Sequence, residues 1–121
     1  MTSSEIPSAQ VAEVPGEFDT PGHPAELRAI LLDVREDDAW LLGHAPGAVH
    51  IPMVDVPARI DDLDYDSEIY VICRQGGRSI EVAKYLAYVG FEVVHVEGGM
   101  VAWQSTGRPL VAEGDRQAKI Y

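Results

Sequence analysis

Residues 29–34 run Ala-Ile-Leu-Leu-Asp-Val, an apolar stretch with no alternation of polar and apolar positions. A strand with one wet face alternates; a continuous run of this length belongs to a strand covered on both faces. Ile69, Tyr70, Val71 and Ile72 form a second such run, and Phe91 to Val96 a third. Val49, His50 and Ile51 make a shorter strand, stopped by Pro52. Helical signals fall between them. Glu36 to Leu42 fits a short helix closed by Gly43, and Pro57 to Leu63 another with Pro57 in its first turn. Ser79 to Val89 places Ile80, Val82, Ala83, Leu86, Ala87 and Val89 in a broad apolar stripe, with Gly90 as its stop. Gly98 and Gly99 open a last helix through Trp103 that ends by Gly107. Strands that alternate with helices predict an α/β domain, a parallel sheet with helices on both faces.

The 121 residues suit one domain, and 46% hydrophobic with 24% charged residues is globular composition. We divide the chain into an extended lead-in at 1–24, a folded domain at 25–110 and a polar tail at 111–121, expected to be loose. The lead-in carries Pro7, Pro15, Pro21 and Pro24, with a short edge strand near Ile6–Val11. The formal charge is −11, from 20 acidic and 9 basic residues. Such a surface repels phosphate backbones and anionic lipids, so nucleic acid and membrane partners are not expected. The apolar runs are far too short to span a bilayer, and the first residues lack the pattern of a signal peptide. One cysteine allows no internal disulfide and no cysteine-rich zinc site, and no HxH or HExxH spacing is present. No metal or other cofactor is expected. A lone, reactive thiol fits a reducing compartment, and the expected location is cytoplasmic.

That cysteine, Cys73, stands at the C-terminal end of the second buried strand and is followed by Arg74, Gln75, Gly76, Gly77, Arg78 and Ser79. In open α/β sheets ligands bind at the carboxyl ends of strands. Two glycines let the backbone curl so that successive N–H groups point inward, forming an anion nest. The following helix adds its positive end, and Arg74 and Arg78 add fixed charge. Each feature favours a thiolate over a thiol, as in reactive cysteines generally. A cysteine at a strand end can also be a small buried hydrophobe. The glycine pair and two arginines favour the nucleophile.

Several segments in order carry a resemblance. Asp33-Val34-Arg35-Glu36 precedes Gly43-His44-Ala45-Pro46-Gly47-Ala48-Val49-His50-Ile51-Pro52. The loop Cys73 to Ser79 follows, then Gly90-Phe91, Glu97-Gly98-Gly99-Met100-Val101-Ala102-Trp103 and Gly107-Arg108-Pro109-Leu110. Together, from about Leu31 to Leu110, they resemble the motifs of rhodanese-like sulfurtransferases. The resemblance implies a three-layer domain around a five-stranded, mostly parallel sheet, and a persulfide carried on Cys73. It implies two half-reactions: a small anionic sulfur donor such as thiosulfate loads the cysteine, and a thiol or protein acceptor unloads it. Arg74, Gln75, Gly76, Gly77, Arg78 and Ser79 would bind the donor. The related phosphatases and arsenate reductases have one residue more between cysteine and arginine, so the four residues here favour sulfur transfer. A second alternative is a non-catalytic rhodanese-like binding or regulatory module, against which the presence of Cys73 speaks.

Asp33 and Arg35 lie just past a strand end, and we read them as structural support, an ion pair tying neighbouring loops together. His44 is read as support too, bonded to the turn at Ala45-Pro46-Gly47. His50 and His95 are read as packing or surface residues, Trp103 as core, and Tyr85 and Tyr88 as candidates for a pocket rim. Gly98-Gly99 alone is weak evidence for a phosphate site.

Overall fold

The computed structural model describes residues 6–20, 27–114 and 116–120. Among them five strands form one sheet: β1 (Ser8–Gln10), β2 (Ala29–Asp33), β3 (Val49–His50), β4 (Glu68–Ile72) and β5 (Glu92–Glu97). Their order across the sheet is β1-β5-β4-β2-β3, and every pairing is parallel. The sheet is thus wholly rather than mostly parallel. The helices are α1 (Asp37–Leu42), α2 (Ser79–Tyr88) and α3 (Gly99–Ser105), with 3₁₀ turns at Val11–Glu13, Met53–Asp55 and Pro57–Asp62. The expected helix from Pro57 is therefore 3₁₀, and it kinks at Arg59 (φ −121°).

All five residues of β2 are buried, as its unbroken apolar run requires. Side chains alternate between two cores. One packs Leu32, Val71 and Val93 beneath Val82, Ala83 and Leu86 of α2. The other packs Leu31, Ile72 and Val96 against Met100 and Trp103 of α3 and against Val11 and Val14. Burial on both faces gives the three layers. At about 25 cal/mol per Å² of apolar surface removed from water, these two cores supply the main driving force for folding.

Described residues of the polar tail make specific contacts with the domain. Val111 pairs with His44 through reciprocal backbone bonds, the Lys119 amide donates to the Leu42 carbonyl at 3.0 Å, and Ile120 packs against the second core. Residues 1–5 and 21–26 of the lead-in, with the boundary placed at 25, and residues 115 and 121 of the tail lie outside the described residues. No helix among the described residues is long and apolar enough to cross a membrane.

Candidate active site

Strand β4 ends at Ile72, and the chain then turns through Cys73–Arg78 into α2. Parallel strands bring their carboxyl ends to one edge, so this loop sits beside the residues that follow β2 and above the start of α3. Cys73 is 3% exposed, beneath exposed Arg74, Gln75, Gly77 and Arg78. Its Sγ accepts the backbone N–H of Gly76 at 3.0 Å and that of Ser79, the first residue of α2, at 3.3 Å. Two inward amides and a helix start face one sulfur atom. The Ser79 hydroxyl lies 3.3 Å from Sγ and also 3.3 Å from the Gly76 carbonyl. Gly76 reaches this conformation with φ +112°, a region that favours glycine.

The loop is held from below by α3. The Met100 N–H donates to the Cys73 carbonyl at 2.8 Å, and Val101 N–H to the Arg74 carbonyl at 3.0 Å. Gly99 makes that approach possible. A Cβ there would stand 2.4 Å from the Cys73 carbonyl oxygen. From the side, His95 of β5 donates Nε2–H to the Gly76 carbonyl at 3.0 Å.

Asp33 and Arg35 form a buried pair, with Arg35 Nε at 3.0 Å and Nη2 at 2.7 Å from the carboxylate. Arg35 Nη2 also donates to the Gly43 carbonyl at 2.8 Å, tying the end of β2 to the end of α1. His44 does not bond the turn that follows it. Its Nδ1–H donates to the Trp40 carbonyl at 2.8 Å, while the turn is closed by Ala48 N–H on Ala45. The Trp40 ring stacks on both His44 and His50, at centroid distances of 3.5 and 4.6 Å. His50 Nε2–H caps the Arg35 carbonyl at 2.8 Å. These contacts brace α1 as one wall of a cavity of about 320 Å³. Arg35, Glu36, Asp38 and Ala39 face Cys73, Arg74, Gln75, Gly77 and Arg78 across it.

The structure thus gathers Cys73, its loop and Arg35 around one cavity; Asp33 supports Arg35 from beneath, and His44 stands behind α1. Tyr85 lies elsewhere, lining a small apolar depression with Met53 and Val56, and Tyr88 is fully on the surface. The reading of His95 as packing or surface missed its bond to the loop. Gly99, read from the sequence only as the opening of α3, also lets that helix approach the Cys73 and Arg74 carbonyls.

The structure is a parallel α/β domain with one cysteine facing two backbone amides at the sheet's carboxyl edge. A family description of the rhodanese-like domain matches residues 15–106, and the chain belongs to that family. It is 48% identical over 85 residues to the Bacillus subtilis protein named "Putative sulfurtransferase YtwF", covering 70% of this chain and 82% of that one. An Allochromatium vinosum protein named "Sulfurtransferase" is 33% identical over 84 residues, covering 69% and 78%. The crystal structure of SSP1007 from Staphylococcus saprophyticus superposes with a TM-score of 0.69 at 32% identity, covering 84% of this chain and 97% of that one.

Proposed function

We propose that the protein is a sulfurtransferase in which Cys73 carries sulfane sulfur from a small anionic donor to a thiol acceptor. The observation that carries this reading is the convergence of the Gly76 and Ser79 amides on Cys73 Sγ. Amide donors and a helix start stabilise negative charge on sulfur, and they serve a terminal persulfide sulfur as well as a thiolate. In the first half-reaction the thiolate attacks the outer sulfur of thiosulfate. A new S–S bond forms, the donor's S–S bond breaks, and its electron pair leaves with sulfite. In the second, an acceptor thiolate or cyanide takes the outer sulfur, and Cys73 departs as thiolate. No proton need be held by a general base, which agrees with the absence of an imidazole bond to Sγ among the described residues.

Arg74 and Arg78, exposed on the loop, would orient the anionic donor, with Gln75, Gly76, Gly77 and Ser79 completing its binding site. Asp33, Arg35 and His44 would act as support, holding the opposite wall. A cytoplasmic, reducing setting would keep the thiol available and supply acceptors. The relatives named as sulfurtransferases favour this reading over a phosphatase or a non-catalytic module.

The test is the steady-state kinetics of thiosulfate and cyanide. A covalent intermediate gives parallel double-reciprocal lines as the second substrate is varied. Cys73→Ser should abolish turnover while melting like the parent, since serine has no base to activate it. Intersecting lines, or more than about a tenth of parental turnover in Cys73→Ser, would remove Cys73 from the reaction.

A further inference from the structure

The Gly76 carbonyl is shared by two donors with different obligations. The Ser79 hydroxyl lies 3.3 Å from it and 3.3 Å from Cys73 Sγ, and it has one proton to give. While Cys73 is a thiol, S–H donates to Ser79 Oγ, and the hydroxyl proton is free to point at the Gly76 carbonyl. When the sulfur is a thiolate, it has no proton to offer and becomes the stronger acceptor. The hydroxyl then turns to the sulfur, because charge-assisted bonds are the stronger ones. Gly76 would be left with a half-buried carbonyl at the moment its own N–H must hold the thiolate at 3.0 Å. His95 Nε2–H, 3.0 Å from that carbonyl, is the donor that remains. Both the neutral Nε2–H ring and the protonated ring can give this bond, so it does not depend on the charge of His95.

We propose that His95 is a positioning residue for Cys73. It fixes the Gly76 peptide from the far side and frees the Ser79 hydroxyl to stabilise the ionised or persulfidated sulfur. The fold supplies the leverage. His95 is anchored within β5, where its Cα pairs with Val71 of β4 and with Ser8 of β1, and its N–H donates to the Pro7 carbonyl at 2.8 Å. A strand in the sheet interior therefore fixes the Gly76 peptide, while α3 holds the loop at Cys73 and Arg74. The packing agrees, for a Cβ built on Gly76 would meet His95 Nε2 at 3.5 Å.

This inference rests on the proposed chemistry of Cys73, but its test does not need sulfur transfer. Iodoacetamide alkylates the only cysteine in the chain, so the rate against pH reports the thiolate directly. In His95→Leu the midpoint of that profile should move to higher pH, and alkylation at neutral pH should slow by about tenfold, the worth of one good hydrogen bond. His95→Gln places an amide N–H where Nε2 stands and should restore most of the rate. His95→Asn, with the same chemistry but a shorter reach, should not, and it replaces the leucine variant should that fail to fold. A leucine or asparagine variant that melts lower but alkylates with an unmoved midpoint makes His95 merely structural and overturns the proposal. A glutamine variant that alkylates as slowly as the leucine variant overturns it as well. If the wild type transfers no sulfur yet the midpoints shift as stated, the positioning role stands and the proposed function falls.

Discussion

Gly99 occupies a position that no other amino acid can fill without moving the active-site loop. Its φ is +58°, and a Cβ would lie 2.4 Å from the Cys73 carbonyl oxygen and 2.5 Å from that of Arg74. Gly99→Ala must therefore push the loop away from α3 and break the bonds from Met100 and Val101. The expected loss is about 3 kcal/mol in denaturant unfolding, with slower alkylation of Cys73. Parental stability and reactivity in that variant would mean that the loop tolerates the displacement. The Gly76 and Ser79 amides do meet Cys73 Sγ, and the placement of that cysteine before a glycine loop and a helix start was legible in the sequence. Gly99 and His95 were not, because their partners belong to another strand-to-helix connection. Only the parallel pairing of β4 with β5 brings them within bonding distance, and no local pattern encodes that.

At the scale of elements, one side chain ties three carbonyls of the segment before β2, which also pairs through β1 and buries Val11 and Val14. Arg108 donates to the carbonyls of Val11 at 2.6 Å, Val14 at 2.8 Å and Pro15 at 2.9 Å, with its guanidinium 4.0 Å from the centre of the Trp103 ring. A flat, five-donor group satisfies three carbonyls at once while stacking on indole, which lysine cannot copy. Arg108→Ala should cost about 2 kcal/mol, seen as a lower melting temperature, and should hasten proteolysis near Val14. Unchanged melting and cleavage would place the hold on this segment elsewhere. The motif around Gly107-Arg108-Pro109 was visible in the sequence, but its partners were not. The tail illustrates the same limit. Its polar composition read as loose, yet it binds through main-chain groups at Val111 and Lys119, which composition does not report.

For the molecule as a whole, the strand and helix order was readable because burial on both faces writes unbroken apolar runs into β2 and β4. The family resemblance added the five strands, but the order β1-β5-β4-β2-β3 was not derivable from those runs and comes from the structure alone. Net charge of −11 also matters at this scale. The general field repels anions, so under the proposed function an anionic donor would have to be captured locally by the loop arginines and amides, against Glu36 and Asp38 on the facing wall. Under the proposed function, with one cysteine in the chain, a sulfur loaded on Cys73 would meet no second thiol within it and would leave to an external acceptor. The most direct measurement is intact mass after loading with thiosulfate and removing the donor. The account predicts the added mass of one sulfur atom on Cys73, persisting in buffer and lost promptly when cyanide or a small thiol is added. Absence of the adduct, or its loss at the same rate with and without acceptor, would contradict it.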